Sequence, residues 1–283
     1  MLTLITGSTG FLGKYFTELI EDSSEIIYLT RDRTKFRSDK KIIEGDLSNE
    51  HILLEIKEYG FERLIHFAWE GLPHKDKLKN TKNFGMTKNL VGNLLESNPL
   101  CELNFMGSCL EIESNKENKD LEIVNDNNSH FAKIKNDLLA YIDEKTLNYR
   151  WFRIFYAYGF GQHENSLVNS IYNSLKNGDT PVLKNINTLH DYIFVEDVAN
   201  LIYSFIYSTN CRKIIEIGTG SATSNFEILA TVAKHFDMSV NQSREIESKT
   251  LCADLELVNK HFPKFTFHSI EAGIDKIITQ KHL

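Results

Sequence analysis

Three glycines stand together in Gly7-Ser8-Thr9-Gly10-Phe11-Leu12-Gly13, after the apolar run Leu2–Thr6 and before a segment of helical spacing. A G-x-x-G-x-x-G loop between a strand and a helix is a phosphate cradle. Glycine lets the backbone turn tightly and approach a pyrophosphate, and the last glycine lets helix and strand pack closely. The helix that follows offers free N–H groups and the positive end of its dipole to the phosphates. Past the next strand the chain reads Leu29-Thr30-Arg31-Asp32-Arg33. An acid at this strand end accepts hydrogen bonds from the ribose 2′-hydroxyl of NAD, whereas arginine suits the 2′-phosphate of NADP. Thr30 falls where the acid would sit, so Arg31 and Arg33 favour NADP, and the neighbouring Asp32 keeps NAD open.

The elements around the loop alternate. Apolar runs at Leu2–Thr6, Ile26–Leu29, Lys41–Glu44, Arg63–Phe67, Leu103–Met106 and Trp151–Phe155 predict strands. Helical spacing predicts helices over Phe11–Glu21, Glu50–Tyr59, Asn80–Glu96 and Phe131–Lys145. Strands separated by helices imply parallel crossovers, hence an α/β fold with a Rossmann-type doubly wound parallel sheet. After Tyr156 the rhythm loosens. Helices are expected at Leu167–Lys176, Val198–Tyr207, Asn225–Phe236 and Ile270–Thr279, with strands at Pro181–Leu183, Leu189–Phe194 and Lys213–Ile217. We read residues 1–156 as a dinucleotide-binding domain and residues 157–283 as a smaller C-terminal α/β part that binds substrate, with some exchange of chain between them. The polar stretch Ser114–Ser129 reads as a loop.

The 283 residues are 41% hydrophobic and 25% charged, which is globular composition and excludes a disordered or collagen-like chain. A formal net charge of -7 argues against a nucleic-acid partner, since such binders carry a basic excess or patch. Cys101, Cys109, Cys211 and Cys252 are far apart and have no metal-ligand spacing. The N-terminus lacks the pattern of a signal peptide, and no apolar run reaches the roughly 18 residues of a membrane span. These features predict a cytoplasmic protein with no metal and no membrane partner.

Further along, seven pieces occur in an order that resembles the extended short-chain dehydrogenase/reductases, the nucleotide-sugar epimerases, dehydratases and ketoreductases. After the glycine loop comes Gly45-Asp46-Leu47, similar to the family's G-D-[LI] at the adenine. His66-Phe67-Ala68-Trp69 resembles the strand end that lies along the cofactor, and Asn83 stands where the family has a helix asparagine. Gly107-Ser108-Cys109-Leu110-Glu111-Ile112 resembles the strand that carries the catalytic hydroxyl. Arg153-Ile154-Phe155-Tyr156-Ala157-Tyr158-Gly159 and His190-Asp191-Tyr192-Ile193-Phe194-Val195-Glu196-Asp197-Val198-Ala199 resemble the two later motifs. The resemblance implies a cofactor site made of Gly7, Thr9, Gly10, Phe11, Leu12, Gly13, Arg31, Asp46, Leu47, Phe67, Ala68, Trp69, Lys135 and Phe155. It implies substrate contacts at Asn83, Cys109, Tyr156 and His190, and a homodimer formed through the helices at Asn80–Glu96 and Phe131–Lys145.

The family's chemistry needs a tyrosine to carry the proton, a Ser or Thr hydroxyl beside it, and a lysine four residues after the tyrosine. Ser108 and Lys135 match, but Phe131 occupies the tyrosine position; a frame shifted to Lys133 puts Ser129 there and fits the helix less well. Phenylalanine keeps the ring and lacks the proton. Three explanations stand: an exchange of Tyr for Phe made to trap a substrate, another donor among Glu111, Cys109, His130 and Tyr156, or a binding protein that has lost catalysis. His190 replaces the arginine that in the family approaches the nucleotide phosphates. Cys109-Leu110 after Ser108 departs from the Asp-Glu pair of the dehydratases. The Gly-Ser-Cys-x-Glu strand and His66–Pro73 look most like ketoreductases that finish deoxysugar nucleotides for surface polysaccharides. The expected activity is therefore NADP- or NAD-dependent reduction of a 4-keto nucleoside-diphosphate sugar, with an epimerase, a dehydratase or a silent dinucleotide-binding regulator as alternatives.

Overall fold

The computed structural model describes residues 1–20, 25–36, 39–72, 76–115, 126–183, 185–211, 214–240 and 250–282. In chain order its elements begin β1 (Thr3–Thr6), α1 (Phe11–Glu18), β2 (Ile26–Thr30), β3 (Lys41–Glu44), α2 (Glu50–Tyr59), β4 (Arg63–His66), α3 (Lys77–Ser97), β5 (Glu102–Ser108), α4 (Leu110–Asn115), α5 (Asp126–Lys145) and β6 (Tyr149–Ile154). They continue with β7 (Tyr156–Tyr158), α6 (Leu167–Lys176), β8 (Leu189–His190), β9 (Tyr192–Phe194), α7 (Val195–Ser208), β10 (Ile214–Ile217), β11 (Thr223–Ser224), α8 (Asn225–Lys234), α9 (Glu256–His261) and α10 (Ile270–His282).

The main sheet has seven strands in the order β10-β6-β5-β4-β1-β2-β3. The pairs β1–β2, β1–β4, β2–β3 and β4–β5 are parallel. All four residues of β1 and of β4 and all five of β2 are buried, as expected for strands covered by helices on both faces. From β1 the chain winds outward to β2 and β3; from β4 it winds the other way to β5 and β6. The reversal opens a crevice beyond the carboxyl ends of β1 and β4, the position where ligands bind in doubly wound sheets. The sequence expectation of an α/β Rossmann-type fold is met.

The helices bury one stripe each. In α3 the buried residues are Asn80, Asn83, Thr87, Leu90, Val91 and Leu94, spaced by three, four, three, one and three residues. Asp76 caps this helix by accepting from Lys79 N at 3.1 Å, so α3 starts three residues before its apolar pattern does. The core between sheet and helices is built from Leu4, Ile27, Ile56, Phe61, Leu64, Leu103, Phe105, Leu138 and Trp151, among others. Below it Glu102 accepts from Arg63 Nε at 2.9 Å and from Arg150 Nη1 at 2.6 Å, a buried charge satisfied from two sides.

The chain divides into two compact units, Met1–Arg153 with Ile202–Ile215, and Ile154–Leu201 with Glu216–Leu283. In the second unit Asp191 interrupts the strand expected over Leu189–Phe194 and divides it into β8 and β9. Its buried carboxylate accepts from Thr219 N (2.8 Å), Thr219 Oγ1 (2.6 Å), Gly220 N (2.9 Å) and Ala253 N (3.0 Å). Ser224 and Glu227 form a capping box that starts α8.

Three expectations need correction. Pro181–Leu183 is not a strand: Pro181 has no N–H to give to a ladder, and Val182 is 89% exposed. The polar stretch Ser114–Ser129 is not a loop throughout, since α4 runs to Asn115 and α5 begins at Asp126; residues 116–125 lie outside the described residues. The helix expected from Val198 begins three residues earlier, at Val195 in α7, with Glu196 and Asp197 in the first turn favouring that start. Pro73, which ends the segment likened to ketoreductases, and Lys213, which begins the last expected strand, also lie outside the described residues.

Candidate active site

The glycine loop sits at the crevice. Gly7 has φ +72°, and a Cβ there would stand 2.4 Å from Ala68 N and 2.6 Å from Phe67 C, so β1 and β4 meet backbone to backbone at this point. A Cβ on Gly13 would lie 2.2 Å from Gly7 O, which packs α1 directly on the loop. Gly10 caps α1 without a side chain, no acid lies in the first turn, and Ser8 Oγ is buried with no hydrogen-bond partner. A dinucleotide's pyrophosphate fits this cradle, which presents backbone amides and an unspent hydroxyl with no acidic residue in the first turn of α1.

A cleft of about 210 Å³ extends from the loop. Thr6, Gly7, Thr9 and Gly10 line it from β1, Leu29, Thr30 and Arg31 from β2, Gly45, Asp46 and Leu47 from β3, His66 to Glu70 from β4, and Asn83, Met86 and Thr87 from α3. Phe11 and Leu12 form the first turn of α1. Asp46 accepts from Ser48 N (2.8 Å) and Ser48 Oγ (2.5 Å), and these bonds hold its carboxyl below the usual carboxylate range. Asp32 turns its carboxylate to Thr34 N (3.0 Å) and Thr34 Oγ1 (2.5 Å). Arg31, which the sequence offers to a 2′-phosphate, is ion-paired with Glu70 and lies 3.9 Å from Asp46 Oδ2.

His66 is buried in the cleft wall, with Nδ1 2.7 Å from Thr6 Oγ1 and Nε2 3.1 Å from Thr87 Oγ1. Burial pushes its pKa down to about 3, and the charge of Lys135 adds to the effect, so the ring is neutral at pH 7. Asn83 gives both ends of its amide to Glu70, accepting from Glu70 N at 3.2 Å and donating to Glu70 O at 2.9 Å.

A second cluster surrounds Ser108 at the end of β5. Glu111 is fully buried and accepts from Ser108 N (2.6 Å), Trp151 Nε1 (2.8 Å) and Arg153 Nε (3.1 Å). Burial raises its pKa, against the pull of those donors and of Lys135. Lys135 is buried too. Its Nζ donates to Met106 O at 2.8 Å and lies 3.5 Å from the centre of the Trp69 ring. Burial brings its pKa down to about 7, with Glu111 pulling the other way. One helical turn before it, Phe131 is 3% exposed and meets Trp69 edge to face at 6.0 Å. Cys109 is buried beside Ser108, and His130 Nε2 is buried with no hydrogen-bond partner.

Trp69 thus belongs to both clusters. It lines the cleft and covers Lys135, and its Nε1 donates to Asn80 Oδ1 at 3.1 Å. In the second unit the buried Phe155 donates its N–H to Ile217 O at 2.9 Å, and Tyr156 stacks on His190 at 3.9 Å. Burial brings the His190 pKa down to about 4, so that ring is neutral. The sequence reading missed Glu70, Trp151 and Asp191. Of these, Glu70 and Asp191 stood in quoted segments, His66–Pro73 and His190–Ala199, and none carries a local signal of its partners.

The chain matches none of the curated proteins. Among solved structures it is similar to Bordetella bronchiseptica WbmH in complex with NAD+ (TM-score 0.78, 16% identity, covering 99% of this chain and 98% of that one). It is also similar to the Methanobrevibacter ruminantium UDP-N-acetylglucosamine 4-epimerase in complex with UDP-N-acetylmuramic acid (TM-score 0.75, 17% identity, 98% of each chain). A third is the Bacillus anthracis dTDP-glucose 4,6-dehydratase in complex with NAD (TM-score 0.74, 18% identity, 99% and 96%). These likenesses establish the fold. With the glycine loop, the strand-end hydroxyl and the helix lysine in place, and with the family model matching residues 3–218, the chain belongs to the NAD dependent epimerase/dehydratase family.

Proposed function

We propose that this chain is an NAD(P)-dependent oxidoreductase of a nucleoside-diphosphate sugar, and that its reaction is reduction of a 4-keto deoxysugar nucleotide. The observation that carries this reading is the frame around Ser108. Glu111 fixes the Ser108 amide, Met106 O fixes the Lys135 amine, and both anchors lie on one strand end and its following helix. When bound, a nicotinamide supplies or accepts the hydride. The protein's part is to hold the reacting carbonyl. The Ser108 hydroxyl can donate a hydrogen bond to the substrate oxygen, and the Lys135 charge stabilises negative charge that develops there. Tyr156 and His190, stacked in the second unit, supply flat rings for a nucleobase or sugar. The neighbours described above whose names carry UDP-N-acetylmuramic acid and dTDP-glucose support the nucleotide-sugar class.

One observation favours a second reading. Phe131 is buried against Trp69 and has no hydroxyl, so the usual proton carrier of this chemistry is missing. A protein with this site that binds dinucleotide and sugar nucleotide without turnover is the alternative. Consumption of NADH and NADPH with a panel of nucleotide-linked 4-keto-6-deoxyhexoses, on this chain and on Phe131→Tyr, separates the two. Turnover that rises with Phe131→Tyr supports ketoreduction; tight binding with no turnover in either form supports the silent binder. We further propose that α3 and α5, which pack together in the first unit, pair with a second copy; a monomeric mass in solution scattering would contradict this.

A further inference from the structure

Arg31 follows β2 and Glu70 follows β4, and β1 with its glycine loop lies between those two strands. Both residues line the same cleft. Their ion pair therefore passes over the end of β1, across the mouth of the cleft. Glu70 is held in place for this contact. Its backbone N–H and carbonyl are both bonded to the buried Asn83 amide on α3. Asp46, on the neighbouring β3 side, faces the same guanidinium at 3.9 Å. The described charged side chains lining this cleft are thus one cation and two carboxylates, with the exposed Lys82 near Asp46 as a further positive group.

We propose that Glu70 is the residue that sets cofactor choice, holding Arg31 away from a ribose 2′-phosphate and so selecting NAD over NADP. The proposal rests on the dinucleotide site described above. A 2′-phosphate is a dianion at neutral pH. To enter, it must take Arg31 from Glu70 and then sit close to both Glu70 and Asp46, and like charges brought together discriminate against the wrong ligand. NAD carries no charge at that position and meets no such barrier. Arg31, one of the two arginines by which the sequence favours NADP, is in the fold already paired with a carboxylate 39 positions away.

The test is calorimetric binding of ADP and of adenosine 2′,5′-bisphosphate to the full chain and to Glu70→Gln, Arg31→Gln and the double variant. Glu70→Gln is isosteric and partly exposed, and circular dichroism checks its fold. The expected result is that the wild-type chain binds ADP more tightly. Glu70→Gln then raises affinity for the 2′-phosphorylated ligand by about tenfold with little change for ADP, and adding Arg31→Gln removes the gain. Equal changes for the two ligands, no change in their ratio, or a wild-type preference for the 2′-phosphate would overturn the proposal while leaving the nucleotide site standing. Failure of both ligands to bind the wild-type chain and every variant would remove the dinucleotide reading and this proposal with it.

Discussion

The Lys135 ammonium lies 3.5 Å from the centre of the Trp69 ring, and Trp69 in turn lines the cleft that begins at the glycine loop. One indole therefore joins the nucleotide cleft to the Ser108 cluster. It also shields the amine from water, and its face offers a cation–π contact in return. Shielding disfavours the charged amine, which is why the Lys135 pKa falls to about 7. Indole fluorescence is expected to titrate near pH 7 as the ammonium facing Trp69 loses its proton, and Lys135→Met is expected to abolish that transition. A titration that survives in Lys135→Met would show that another group causes it.

Gly107 tests the support of Ser108. A Cβ there would lie 2.1 Å from Trp151 Nε1 and 2.7 Å from Glu111 Oε1, within the bonds that hold the Ser108 amide. Gly107→Ala is expected to destabilise the fold by about 1–3 kcal/mol, the usual cost of overpacking a filled site. Urea denaturation measures this; an unchanged midpoint would mean that the ring and carboxylate move apart freely.

His66 makes stability sensitive to acid. Its folded pKa of about 3 lies below the ordinary value of 6.5, so below pH 6.5 the unfolded chain takes up a proton that the native ring refuses. Above pH 6.5 the group contributes nothing to pH dependence. Stability is lost as pH falls from 6.5 towards 3, by about 2 kcal/mol at pH 5. Denaturation midpoints at pH 7 and pH 5 are expected to differ less in His66→Gln than in the wild-type chain. An identical pH slope in the two would rule out His66 as the source.

In the second unit, Asp191→Ala leaves the Thr219 and Gly220 amides, the Thr219 hydroxyl and the Ala253 amide without their shared acceptor. A loss of about 3–5 kcal/mol is expected, as for removal of one side of a buried charged network. Hydrogen exchange should report it at residues 218–220 and 253. Exchange that stays slow there would show that the carboxylate is replaceable by water.

How much of this was legible in the sequence follows from where the cause of each feature lies. The glycine loop was legible because its requirements are local. Gly7 needs its positive φ and Gly13 needs its missing Cβ, and both leave marks within seven residues. The alternation of strands and helices was legible for the same reason, since buried parallel strands are short apolar runs. The family resemblance marked Lys135, four positions after Phe131, but not its cover, because Trp69 comes from a strand end 66 positions earlier. Arg31 was visible as a cation, and its neutralisation by Glu70 was not. Asp191 shows the same limit in another form. Its partners are mostly backbone amides, which carry no residue identity at all, and they arrive from segments 28 to 62 positions away.

The proposed reaction moves a hydride between the nicotinamide of a dinucleotide bound at the glycine loop and the carbonyl carbon of a nucleotide-linked keto sugar. The direct measurement is mass spectrometry of the sugar product after incubation of the Phe131→Tyr form with a keto sugar nucleotide and dihydronicotinamide dinucleotide deuterated at the transferring position. One deuterium per reduced sugar is the result expected. Bound cofactor and bound sugar nucleotide with no deuterium in the sugar would contradict ketoreduction, and would leave a protein that binds both ligands without exchanging a hydride between them.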